Sequence, residues 1–582
     1  SRFQVFSQGL ASIPCRGHQK LMKWAWVTRI GSHPGGISLS TATGLLHGRP
    51  ELLPPVAENA DAHTTALGLK FAPMTPLIWC ISGLAAQYFV VCTLSATVRL
   101  VQQLGLGGDR QPSVLHRTLE SAEVTLHFAP TLCVLFLAAQ MQAMQCSQGR
   151  KDPPQWVCIC METASALLIL QTLLVVAVPI LTKAAPDMNE DALLADARSP
   201  WVRAASTATT LAFLGACAGV CAGVASMRAH EELLPASRSA SPVVSCTVNL
   251  TLQFFAVHFL LAAVATACRN SRGRSGPKVF RVLKLAANTV FLAPMLCILF
   301  IAAHVRALQV YPGHGRPQWW ATGAFYLCNY SLLLQTLVVI AVPFLPGGDV
   351  RRGTSLMKGD VEITFVQYEH RSVRLAFILV QYAPCLLICS GVAAVFASIL
   401  SLSAPAGRTP PLPPAMLCVL GLTAQFFLVH LGLWASAACR GLSSGARGQN
   451  GAQATALAKT MRSAAATVQV CPMLAILFVG LRLRAQQITG QTGAPQPWAQ
   501  AAMYLSTGAA LLQLLLCLLA GTAIGRALLA GGGGLQASEE GGHAMLRRTA
   551  LGVQALLFLA LYGGAAAVCA ALFVLTPETA GR

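Results

Sequence analysis

The sequence predicts an all-α, polytopic membrane protein of about twelve transmembrane helices, arranged as three parallel four-helix repeats. Three observations predict it. Of 582 residues, 54% are hydrophobic and only 11% charged, with a mean hydropathy of +0.59, a balance foreign to soluble domains. The apolar residues gather into runs of about 20 or more, the length that crosses a hydrocarbon core of about 30 Å at 1.5 Å per residue. The same phrases also return in the same order at separations of about 165 to 180 residues.

The chain begins with a polar stretch. Residues 1–50 contain no Asp or Glu but carry Arg2, Arg16, Lys20, Lys23, Arg29 and Arg49. An acid-free segment rich in Arg and Ser resembles an organellar transit peptide, and a disordered tail has the same composition. No apolar run before about Met74 is long enough to span a bilayer. Residues 1–72 are therefore expected to form a poorly ordered basic leader.

Three segments follow, 73–238, 239–410 and 411–582. Gln87-Tyr88-Phe89-Val90-Val91 returns as Gln253-Phe254-Phe255-Ala256-Val257 and as Gln425-Phe426-Phe427-Leu428-Val429. Thr125, Pro130 and Leu132-Cys133-Val134-Leu135-Phe136 return as Thr289, Pro294 and Leu296-Cys297-Ile298-Leu299-Phe300, then as Thr467, Pro472 and Leu474-Ala475-Ile476-Leu477-Phe478. Pro154-Gln155-Trp156 with Gln171 is matched by Pro317-Gln318-Trp319 with Gln335 and by Pro495-Gln496-Pro497-Trp498 with Gln513. Each segment holds four apolar runs: 77–100, 124–144, 156–181 and 202–227; then 243–268, 290–308, 319–345 and 373–402; then 416–439, 464–486, 498–528 and 549–575.

Strands are excluded because the runs lack period-2 alternation and because strand edges cannot be left unpaired in lipid. Breakers such as Pro153-Pro154, Pro346-Gly347-Gly348 and Pro410-Pro411 fall between the runs and mark loops. An even number of crossings makes the three copies parallel, related by a pseudo-threefold axis along the membrane normal. The loops joining helices 1 to 2 and 3 to 4 hold most of the basic residues, among them Arg110, Arg269, Arg272, Arg274, Arg351 and Arg352. The positive-inside rule makes that side cytoplasmic, with both termini on the opposite face.

Lys and Arg outnumber Asp and Glu by 41 to 21, giving a net charge of +20. The basic residues sit in short loops rather than in a stripe with interleaved aromatics, so the partner they imply is a lipid bilayer and not nucleic acid. Most of the 20 cysteines lie inside apolar runs, where they act as small hydrophobes. The pairs Cys158/Cys160, Cys217/Cys221 and Cys385/Cys389 lack further ligands in the same segment, so no metal is expected.

Polar side chains inside apolar runs are costly, which makes each a functional candidate. The candidate lining comprises Gln87, Gln253 and Gln425 in first helices and Gln171, Gln335 and Gln513 in third helices. A stripe on the fourth helices adds Arg203, Arg374 and Arg547, with Gln381 and Gln554 seven residues after the last two and Thr210 after the first. Around an axis these sets would form rings of three; interhelical hydrogen bonds within each unit are the other reading. Gln142, Arg306 and Arg484 share a face with Gln145, Gln309 and Gln487 at the ends of second helices. Pro130, Pro294 and Pro472 are expected to kink the second helices, with Thr125, Thr289 and Thr467 serving released backbone groups.

His258 and His430 match in position and suggest a haem or metal pair, but Cys92 stands there in the first segment and neither helix holds a second histidine. No cofactor is expected. No carboxylate recurs in all three copies, since Glu162 is matched by Tyr326 and Tyr504, which argues against a symmetric proton or cation relay. No GxxxxGK[ST], HExxH or GxSxG motif is present, and no enzyme is expected. The composition and triplication point to a conduit or carrier for a small solute or ion. A non-catalytic membrane scaffold built from a triplicated tetraspan unit is the alternative.

Overall fold

The computed structural model describes residues 75–103, 114–146, 153–181, 200–231, 241–270, 276–311, 317–341, 371–402, 411–443, 449–489, 495–521 and 540–574. These contain no strand. The leader and most of the basic loop residues that set the expected sidedness lie outside them.

The first segment folds into α1 (Pro76–Gln103), α2 (Val114–Leu126), α3 (Phe128–Cys146), α4 (Gln155–Leu181) and α5 (Pro200–Glu231). The second gives α6 (Pro242–Asn270), α7 (Gly276–Val290), α8 (Ala293–Val310), α9 (Trp319–Ala341) and α10 (Arg371–Ser401). The third gives α11 (Pro414–Ser443), α12 (Gln449–Thr467), α13 (Cys471–Thr489), α14 (Pro497–Gly521) and α15 (Glu540–Val574). Proline opens α1, α5, α6, α11 and α14, the one helical position where its missing N–H costs nothing. Buried hydroxyls along the spans bond to their own helix, as when Thr251 donates to the Thr247 carbonyl (2.7 Å) and Thr423 to that of Val419 (2.7 Å).

Twelve helical stretches among the described residues are long and apolar enough to cross a membrane, and the chain is a multi-pass membrane protein. Fifteen helices make twelve spans because each second span is built from two, α2–α3, α7–α8 and α12–α13. The breaks fall at His127, at Phe291–Leu292 and at a 3₁₀ turn, Val468–Val470. Pro130, Pro294 and Pro472 lie in the first turn of the helix that follows each break. Thr289 and Thr467 donate to the carbonyls of Leu285 and Ala464, on the helix before the break, rather than to the carbonyl that each proline vacates.

The second spans begin earlier than their apolar runs, at Val114, Gly276 and Gln449 rather than near 124, 290 and 464. Their opening turns are amphipathic. Glu120 and Glu123 share α2 with buried Leu119, Ala122 and Leu126, and Lys284 shares α7 with buried Leu283, Ala286 and Ala287. A search for uniform apolarity stops at those charges, whereas one buried face suffices for a helix.

The second spans also form the centre. They are 89%, 78% and 78% buried, against 39–56% for the other nine. Each of α3, α8 and α13 touches the other two, and Phe136, Phe300 and Phe478 are fully buried on them. Around this trio the contacts close into a ring: α6 packs on α3 and α5, α11 on α8 and α10, and α1 on α13 and α15. Third and fourth spans pair as α4–α5, α9–α10 and α14–α15. Each pair approaches closely at glycine: a Cβ at Gly219 would lie 2.7 Å from the Cys160 sulfur, one at Gly391 3.3 Å from the Ala324 carbonyl oxygen, and one at Gly564 2.9 Å from that of Ala502. Lipid offers no hydrophobic drive between helices, so this close backbone packing carries much of their association.

Candidate functional site

Because α1 and α2 run antiparallel, Arg99 near the end of α1 comes beside Glu120 and Glu123 on α2. The Arg99 Nη2 lies 2.6 Å from Glu123 Oε2 and 4.0 Å from Glu120 Oε1. His127, at the break in the span, donates from Nδ1 to the Glu123 carbonyl at 2.8 Å. The Arg99 and Glu120 side chains are about two-fifths exposed and Glu123 less so, at 23%. A guanidinium inside a span is costly without polar partners, and this one has two carboxylates within 4.0 Å.

Facing them is the broken second span of the third segment. The 3₁₀ turn after α12 presents the Gln469 carbonyl, and Tyr88 on α1 donates its hydroxyl to it at 3.2 Å, joining the first segment to the last. Irregular backbone is tolerated at membrane depth only where such partners or a cavity receive it. Here there are both. A cavity of about 270 Å³ lies between α1 and α2 on one side and α12, α14 and α15 on the other. It reaches from Tyr88 to Arg99, eleven residues or about 17 Å along α1, roughly half the hydrocarbon thickness.

The deep wall is amide, hydroxyl and aromatic. Gln513 on α14, Gln554 on α15 and Thr467 on α12 line it, as do the stacked rings of Phe558 and Tyr562, 5.9 Å apart at 9°. Gln513 is only 7% exposed and makes no side-chain hydrogen bond with the described residues. Unlike the two polar atoms of Gln87, its amide is not sealed off from solvent, so water or a solute in the cavity can meet it.

Of the candidate lining residues named from the sequence, Gln513 and Gln554 line this cavity, as does Thr467, while Gln87, Gln171, Gln253, Gln335 and Gln425 are not part of its wall. Gln253 donates to Asn329 Oδ1 on α9 at 3.1 Å, and Gln335 accepts from the Cys385 thiol on α10 at 2.8 Å; both bonds stay within the second segment. Gln171 is buried on α4, and the side-chain oxygen of Gln425 and both polar atoms of Gln87 are buried without a hydrogen bond. Gln87, Gln253, Gln425, Gln171, Gln335 and Gln513 all belong to helices that surround the central trio rather than to α3, α8 or α13. Arg203, Arg374 and Arg547 lie on α5, α10 and α15; their side chains and that of Gln381 lie outside the described residues. Replacing Gln253 by leucine leaves Asn329, 2% exposed, without its partner and is expected to lower stability by about 1 kcal/mol. A small fall in the thermal unfolding midpoint is the corresponding measurement.

His258 and His430 pack as aromatic side chains. Their Nδ1 atoms donate to the Phe254 and Phe426 carbonyls at 2.8 and 2.7 Å, and each ring lies 4.2 Å from the phenyl ring of the residue that accepts. No group of three or more His, Cys, Asp or Glu side chains among the described residues is placed to hold a metal ion. At the far end of the central trio Gln140, Gln142, His304, Arg306, Arg482 and Arg484 are all buried, and Arg306 reaches the Pro411 carbonyl at 3.5 Å.

Arg99, Glu120, Glu123, Tyr88 and Tyr562 were not singled out by sequence reasoning. Their signal is departure from the recurring register: where Arg99 and Glu123 stand, the second segment has Ala265 and Ala287 and the third Ala437 and Ala465. No family of known proteins matches the chain, and no characterised protein matches it in sequence.

Proposed function

We propose that the protein is a carrier for a small polar solute and that the cleft between its first and third segments is the solute site. One observation carries this reading: a cavity at membrane depth lined by an ion pair and by a buried amide that the described residues leave without a hydrogen bond.

The asymmetry of the cleft supports it. We read the chain as a tetraspan unit present three times about a pseudo-threefold axis, on the recurring phrases and on the helix contacts that recur in each segment. In that register the junction of the first and second segments brings Phe128 against His258, with rings 5.1 Å apart, and fills with aromatic packing. Leu292 and His430 stand at the matching positions of the next junction. Where the third segment meets the first, the same positions hold Val470 and Cys92, the smallest pair of the three, and both line the cavity. One junction of three is thus opened and made polar.

Purified protein in proteoliposomes is expected to take up at least one small polar solute with saturable kinetics, above protein-free vesicles. Absence of saturable uptake across a panel of cations, anions and neutral polyols would instead favour the scaffold reading, which the bonds Gln253–Asn329 and Cys385–Gln335 suit because they serve helix packing alone.

A further inference from the structure

We infer that the solute of this cleft is a small organic cation, a compact ammonium compound. The inference rests on the carrier-site reading and adds its substrate class.

Charge is the first ground. The cavity is lined by one guanidinium, Arg99, and two carboxylates, Glu120 and Glu123. Arg99 is closest to Glu123, at 2.6 Å, and also lies 4.0 Å from Glu120, so two carboxylates share one guanidinium. Counting Lys, Arg, Asp and Glu, the lining has a formal charge of −1. That surplus attracts a monocation and repels an anion, to the degree that side chains two-fifths exposed to solvent allow.

Shape and surface chemistry agree. A volume of about 270 Å³ is at the lower end of small-molecule pockets, about 300 to 1,000 Å³, and suits a compact solute. The stacked Phe558 and Tyr562 rings offer π-surface to an alkylated ammonium group, an arrangement used for quaternary ammonium recognition. Gln513 and the Tyr88 and Thr467 hydroxyls supply neutral hydrogen-bonding groups for a polar tail. A metal cation is a poorer fit, because a hard ion takes six or more oxygen ligands and a phenyl ring offers none.

Three probes of one shape separate the charge classes: choline, its uncharged carbon isostere 3,3-dimethylbutanol, and the anion 3,3-dimethylbutyrate. Titration calorimetry on the full chain in nanodiscs, at pH 8 to keep imidazoles neutral, is expected to show choline binding, the alcohol at least tenfold weaker and the anion not at all. Glu120→Gln removes the surplus carboxylate without touching the short ion pair and is expected to weaken choline on the order of tenfold. Arg99→Gln raises the negative surplus and is expected to tighten it. These opposite shifts are a signature that general loosening of the fold does not produce. Equal binding of choline and the alcohol, abolished for both by Gln513→Leu, overturns the cation assignment while leaving the cleft as the site. Binding of the anion, or choline binding indifferent to Glu120→Gln, Arg99→Gln and Gln513→Leu, overturns both.

Discussion

Gly564→Leu is expected to unfold the third segment's helix pair or leave it severely destabilised, whereas Gly563→Leu, one residue away, is expected to be nearly silent. At Gly564 a Cβ alone would lie 2.9 Å from the Ala502 carbonyl oxygen, 2.9 Å from the Ser506 Cβ and 3.3 Å from the Ser506 backbone nitrogen. Two of those atoms are backbone and cannot swing aside, so α14 and α15 must separate. Leucine adds three further carbons in the same direction. Overpacking of a tight core costs about 1–3 kcal/mol and more where backbone must move, and helix pairs in lipid rely on such close approach. A Cβ at Gly563 meets nothing within 4 Å. Thermal unfolding and the monodisperse fraction on size exclusion measure the contrast. A several-degree fall for Gly564→Leu with no change for Gly563→Leu is the expected result.

The bilayer made much of the fold readable. Because lipid leaves backbone groups no partner outside the chain, runs such as 156–181 and 416–439 had to be helices, and α4 and α11 cover them. The opening halves of the second spans escaped the same reasoning, since Glu120 and Glu123 on α2 interrupt the apolar run while the opposite face stays buried. The candidate site was legible in part. Gln513 and Gln554 announce themselves as amides among apolar residues, but so do Gln253 and Gln335, which turn out to bond to Asn329 and Cys385. Desolvation cost is the same for a packing bond and for a solute contact, so composition cannot separate them. Arg99 and Glu123 were passed over for another reason. A search for charges shared by all three copies discards those unique to one, and here the unique ones meet across α1 and α2.

The second large effect is expected at Gln513. Leucine there fits the volume of the amide but presents no donor or acceptor to the cavity, and a solute whose polar group binds the amide would lose that partner. Losing such a contact costs about 1–3 kcal/mol, and more if the solute's own group is then stranded. Gln171 and Gln335 occupy the matching positions in the other two segments and do not line this cavity. The protein therefore carries its own controls. Initial rates of uptake into proteoliposomes, compared for Gln513→Leu, Gln171→Leu and Gln335→Leu at equal reconstituted protein, test the role of this cleft most directly. Loss of at least tenfold in the first, with the other two near the unmodified rate, is expected; equal losses in all three, or an unaffected Gln513→Leu, would contradict it.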